Sequence, residues 1–108
     1  MTEMTEPAAG PSGPGTVVME LGAGIGALIL YTPADMDGRE IEISCDDDPG
    51  ARRTHSQIRP RHMATVTRYA AVYPNLPAGA YTIWSGEQRP AATVVITGGQ
   101  VSSCRWPG

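Results

Sequence analysis

Apolar and polar residues alternate with period two through most of this chain, the pattern of strands that bury one face and wet the other. The clearest run is Arg39 to Cys45, where Ile41, Ile43 and Cys45 share one side and Glu40, Glu42 and Ser44 the other. Asp46-Asp47-Asp48-Pro49-Gly50 follows, an acidic turn whose Pro and Gly supply chain-reversing backbone angles, so a hairpin is expected. Its return strand, Arg53 to Arg59, is the most polar and is assigned to a sheet edge, where exposed charge discourages edge-to-edge association. From Met63 to Tyr73 the alternation sets Ala64, Val66, Ala70 and Val72 against Thr65, Thr67, Tyr69 and Tyr73, with both sides partly buried. Pro74 to Gly79 reads as a turn, Ala80 to Trp84 as a strand, Ser85 to Pro90 as a turn and Ala92 to Thr97 as a strand. Gly98-Gly99 reads as a two-residue hairpin connection from which Gln100 to Trp106 returns.

With Val17 to Leu21 and Ile25 to Tyr31 included, the pattern predicts an all-β fold: a small antiparallel β-sandwich of seven to eight strands. Pro33 to Asp37 is long enough for one helical turn, and no segment keeps three-and-four apolar spacing for ten residues. The first fifteen residues, MTEMTEPAAGPSGPG, hold nothing that packs into a core and are assigned to a disordered N-terminal tail, which leaves residues 16–106 as the β-sandwich domain. A unit of about 90 residues buries only about 60–65% of its unfolded surface, which makes deep clefts hard to build and argues against an enzyme.

Composition sharpens this only in places. Every cation is Arg, Asn75 is the one Asn, and Gly, Pro and Ala are abundant, a bias that reads as genomic. The formal net charge of −3 gathers neither nucleic acid nor anionic membrane. Charge is split along the chain: Met1 to Asp48 carries ten acidic residues and only Arg39, whereas Pro49 to Gly108 carries seven Arg and only Glu87. Acidic and basic strands that pair across a sheet account for the split, and a basic binding face is the alternative. Ile25 to Tyr31, the longest apolar stretch, is too short to span a bilayer, and a cytoplasmic location is expected. Cys45 and Cys104 lack any C-x-x-C spacing and are read as reduced, partly buried thiols, with a bridge left open.

Glu20-Leu21-Gly22-Ala23-Gly24-Ile25-Gly26 resembles the first motif of Rossmann-like methyltransferases, in which glycines let the backbone approach S-adenosylmethionine and a helix follows at once. Here the glycines run into Ala27-Leu28-Ile29-Leu30-Tyr31-Thr32-Pro33, which is β-prone and stopped by proline. Gly22, Gly24 and Gly26 are therefore expected in a turn or bulge between strands, and no cofactor is assigned; a methyltransferase fragment is the least favoured function.

Other chemistry is sparse. His55, His62 and Cys45, beside the Asp46 to Asp48 run, are ligand-type residues for a metal, but their spacing matches no zinc pattern. None of the serines sits in a G-x-S-x-G elbow, and no catalytic residue is assigned. Arg52, Arg53, Arg59, Arg61 and Arg68, with both histidines, form the one basic stretch; it lacks stacking aromatics up to Arg68, which argues for a partner-facing or solvated edge over nucleic acid. Trp84, Trp106, Tyr31, Tyr69, Tyr73 and Tyr81 are expected mostly in the core, with Trp106 either capping the sandwich or exposed as an anchor.

Ala71 to Trp84, through Tyr73, Leu76, Pro77, Gly79, Tyr81 and Ile83, resembles the aromatic-x-x-L-P-x-G-x-Y-x-I signature of transthyretin-like and carboxypeptidase-regulatory-like β-sandwich domains. The resemblance covers about 14 residues. It implies that Leu76 packs at a sandwich end, that Gly79 takes a backbone angle closed to other residues, and that Tyr81 enters the core. Such domains serve as accessory, adhesive or binding modules, so the resemblance carries over no catalytic residue. Glu20 to Trp106 also resembles short actinobacterial proteins of unassigned function, some labelled phospholipase; an H-x-K motif would need Lys, and the chain has none.

The function expected from the sequence is a non-catalytic interaction or accessory module that binds a protein partner or a second copy of itself, not nucleic acid or membrane. Its candidate contact residues are Arg52, Arg53, Arg59, Arg61 and Trp106. The alternative is a small-ligand or metal site at a sandwich end.

Overall fold

The computed structural model describes residues 24–48, 50 and 52–107. The expected tail, the strand Val17 to Leu21 and Gly22 lie outside the described residues. Eight strands follow in order: β1 (Ile25–Thr32), β2 (Glu40–Cys45), β3 (Thr54–Gln57), β4 (Arg59–Met63), β5 (Val66–Pro77), β6 (Gly79–Gly86), β7 (Arg89–Ile96) and β8 (Val101–Arg105). Ala34–Met36 is a single 3-10 turn, where Pro33 stops β1. The strands form two four-stranded sheets, β4-β5-β1-β8 and β3-β2-β6-β7, the all-β sandwich that the period-two pattern predicts.

Alternation places the core between the sheets. Leu28 and Leu30 of β1 and Ala71 and Tyr73 of β5 meet Ile41 and Ile43 of β2, Tyr81 and Ile83 of β6, and Ile96 of β7. Burial of each such aliphatic side chain contributes about 1.5–3 kcal/mol before entropy is counted. Tyr73 is fully buried and its hydroxyl donates to the Ile41 carbonyl at 2.8 Å, a polar link across the two sheets.

The chain changes sheet at Ile58. The expected return strand, Arg53 to Arg59, ends one residue into a second strand that the pattern does not assign: β3 pairs antiparallel with β2, Glu40 opposite Gln57, and β4 pairs with β5, Arg59 opposite Ala70. Ile58 is fully buried at the pivot, and its N–H still donates to Arg39 on the β2 side. At the same corner Ser56 Oγ donates to the Val72 carbonyl and accepts from the Val72 N–H, so a side chain laces the two sheets where no ladder runs. Both β3 and β4 are edge strands, as the polar composition of this stretch predicts.

Several expected boundaries move. Met63 to Tyr73 is not one strand: Ala64-Thr65 forms a two-residue connection with Met63 opposite Val66. Tyr69, Ala71 and Tyr73 form the inward face of β5. Pro74 to Pro77 belongs to β5 instead of a turn, with an extra residue on β5 between Tyr73 and Leu76 and Asn75 at φ 60°. That bulge lets Tyr73 and Leu76, three apart, both reach the core. β6 runs on to Gly86, and the turn contracts to Glu87-Gln88.

Gly98-Gly99 is not a hairpin connection. It carries the chain from β7 in one sheet to β8 in the other, and β8 lies parallel to β1, Ala27 opposite Val101 and Tyr31 opposite Arg105. Gly99 at φ 77° donates to the Ile25 carbonyl, and Ala27 donates to Gln100. Gly26 makes this crossing fit, because a Cβ there would lie 2.5 Å from the Thr97 carbonyl oxygen and 3.0 Å from that of Gln100. Gly26 thus serves strand packing inside β1, whereas Gly24 has open space around it.

Candidate functional site: an arginine face and its end cleft

Strand pairing fixes which side chains share a face, and the outer face of the sheet β4-β5-β1-β8 gathers cations. Arg59, Ala70, Tyr31 and Arg105 stand in one row across all four strands. Arg61 and Arg68 stand opposite each other in the next. The floor between the cations is apolar: Ala27, Ile29 and Ala70 are buried. Val66 and Val101 sit at its margins, each about half exposed. No Asp or Glu lies in any of these four strands.

The other sheet balances its charge. Glu40 and Glu42 of β2 face Gln57 and His55 across the ladder, and His55 Nδ1 lies 3.6 Å from Glu40. Arg53 bonds Glu42 at 2.9 Å, donates to the Glu87 carbonyl at 2.6 Å and stacks 3.9 Å from the Trp84 ring centroid. Trp84 in turn donates to Ser44 Oγ at 2.9 Å. Pairing across strands therefore accounts for Glu40, Glu42 and Arg53. It does not account for Arg59, Arg61, Arg68 and Arg105, which collect on the opposite outer face.

Among the contact residues expected from sequence, Arg59 and Arg61 lie on this face. Arg53 is committed to the other sheet, and Arg52 is exposed in the connection before β3. Arg61 is half-buried, and its Nε is sealed from water without a hydrogen-bond partner. Trp106 is half-buried against the core and its backbone N–H donates to the Tyr31 carbonyl at 2.7 Å, so it caps the sandwich end. Arg105 was missed because nothing in a linear reading joins it to Arg59 through Arg68; the parallel β1–β8 pairing does.

At that end of the sheet lies a cleft of about 420 Å³, lined by Tyr31, Thr67, Arg68, Tyr69, Arg105 and Trp106 along with the Thr32 to Ala34 segment. It saddles the sheet end: Tyr31, Arg68 and Arg105 come from the outer face, Tyr69 and Trp106 from the rim of the core. Arg68 sits 5.1 Å from the Tyr31 ring centroid, a cation–π contact that holds its guanidinium over the cleft. Only Tyr73 and Tyr81 of the six large rings are fully in the core; Tyr31, Tyr69 and Trp106 line this cleft, a departure from the expected use of aromatics.

The metal-type residues are spread out. His55 is on β3 in one sheet, His62 is on β4 in the other with Nδ1 2.9 Å from Thr67 Oγ1, and Cys45 ends β2 near Tyr81. Among the described residues no three His, Cys, Asp or Glu side chains gather as a metal cluster. Cys45 and Cys104 are unbridged, and burial pushes the Cys104 thiol up. Leu76 is buried, Gly79 sits at φ 145° with Asp47 where a Cβ would go, and Tyr81 is buried with its hydroxyl 2.7 Å from the Pro77 carbonyl. Among the described residues no helix is long and apolar enough to cross a membrane. Comparison with protein-family models, with curated proteins and with solved structures returns no match for this chain.

Proposed function

We propose that the chain is a non-catalytic β-sandwich interaction module whose outer β4-β5-β1-β8 face docks an acidic segment of a protein partner. One observation carries this reading: Arg59, Arg61, Arg68 and Arg105 converge from three strands onto one face whose strands hold no carboxylate. Cations placed so close repel one another, and an anionic partner relieves that repulsion on binding. Val66 and Val101, each about half exposed at the margins of the face, add apolar contact area beside the cations.

Several polar side chains elsewhere hold the fold. Ser56 laces the sheets, Ser44 accepts from Trp84, Ser85 bonds the Arg89 carbonyl, and burial makes Cys104 a poorer nucleophile. The two unbridged cysteines support a reducing, cytoplasmic setting. The placements of Leu76, Gly79 and Tyr81 support kinship with transthyretin-like and carboxypeptidase-regulatory-like domains, which fits an accessory role.

Titration calorimetry with an oligo-glutamate peptide tests the reading. Binding that weakens with salt and disappears in an R59E/R61E/R68E variant is expected. Undiminished binding by that variant, no binding by the wild type, or tighter binding of duplex DNA than of peptide overturns it. Light scattering separates self-association: a dimer indifferent to the three reversals would point to pairing at the β7 or β8 edges instead.

A further inference from the structure

We infer that the cleft at the end of this face is a recognition site for a phosphorylated side chain carried on an aromatic ring, the chemistry of phosphotyrosine. The inference rests on the proposed docking face and names what its end recognises. Two guanidiniums, Arg68 and Arg105, line the cleft, and Arg61 stands directly opposite Arg68 on the neighbouring strand. A single carboxylate satisfies one guanidinium fork, whereas a phosphomonoester brings close to two charges and three acceptor oxygens. Clusters of Arg are the recurring answer to that anion, because each fork holds two oxygens at fixed geometry.

The remaining walls select what carries the phosphate. Tyr31, Tyr69 and Trp106 present ring surface, and Pro33 and Ala34 add apolar lining. A short phosphoserine stem would leave these surfaces unfilled, while a phenyl ring stacks on them and sets its phosphate between the two forks. The cleft volume of about 420 Å³ lies in the range of small-ligand sites. Asp35 and Asp37 lie in the connection that follows Pro33, and among the described residues no carboxylate lines the cleft.

The experiment is calorimetry of the full chain with one short acidic peptide made in three forms, with phosphotyrosine, tyrosine or phosphoserine at its centre. The phosphotyrosine form is expected to bind at least about tenfold more tightly than either other form, since hydrogen bonds to charged groups are the strong ones. An R68A/R105A variant is expected to bind the three forms alike; both arginines are exposed, and thermal melting of the variant confirms that it folds. Equal affinity for phosphotyrosine and tyrosine, equal affinity for phosphotyrosine and phosphoserine, or a variant that keeps the preference overturns the inference. If the forms bind equally but R59E/R61E/R68E abolishes binding, the acidic-docking reading stands while the cleft assignment falls.

Discussion

Arg61 and Arg68 face each other across the antiparallel β4–β5 ladder, two like charges at directly opposed positions. Such a pair is destabilising, and Arg61 adds a buried Nε without a partner. A sequence that keeps this arrangement gives up stability on the face where cations gather. Substituting Arg61→Glu converts the repulsion to an attraction, and the variant should gain roughly 0.2–1 kcal/mol. A melting temperature higher by a few degrees, together with weaker binding of acidic peptide, is the expected joint result; an unchanged melting temperature with unchanged peptide binding would refute the assignment of Arg61.

Arg53 provides the contrast. It belongs to the acidic sheet through Glu42 and Trp84, so Arg53→Ala should cost about 1 kcal/mol in urea unfolding, from the lost cation–π contact and ion pair together. Peptide affinity should not change. A loss of affinity without loss of stability would mean that both outer faces engage the partner.

The glycines that resemble a cofactor motif separate by environment. Gly26→Ala drives a Cβ into the Thr97 and Gln100 carbonyls, both backbone and unable to swing aside, and should destabilise by about 1–3 kcal/mol or more. Gly24→Ala meets nothing within 4 Å and should stay within about 0.5 kcal/mol of the parent. Chemical denaturation of the two variants side by side tests whether β8 crosses where the structure has it.

Tyr73→Phe removes the hydroxyl that bridges to Ile41 and should cost about 1–3 kcal/mol, since the carbonyl is left behind in the core. The same burial has a pH consequence. Desolvation first, then the nearby Cys104, raises the Tyr73 phenol well above its ordinary 10.0; burial first, then Cys45 and Asp47, pushes Tyr81 up to about 12. A raised folded-state value means that the unfolded chain loses these protons first. The stabilisation is whole below pH 10 and drains away between pH 10 and 12. Circular-dichroism melts across that window should show a falling midpoint, with a shallower fall in Tyr81→Phe.

Strand identity was legible wherever one face is core and the other water, as in β2, and Pro33 and the turn that begins at Asp46-Asp47 announced themselves by residue type. The connection at Ala64-Thr65 was hidden because neither residue carries turn chemistry, so the run was started at Met63 and most of β4 went unassigned. The bulge at Asn75 was masked by two prolines and a glycine that look like a turn. Gly98-Gly99 has hairpin composition, and only the partner of β8, far away in sequence, decides that it is a crossing. The candidate site failed to appear in the linear reading for the same reason: Tyr31, Arg68 and Arg105 become neighbours only through pairings between distant strands.

The parallel pairing of β1 with β8 joins the first and last strands of the described chain. During synthesis β1 must wait, with one long edge unsatisfied, until β8 has been made. Loop closure of that length makes folding slow for so small a domain and leaves an apolar edge open to other nascent chains in the meantime.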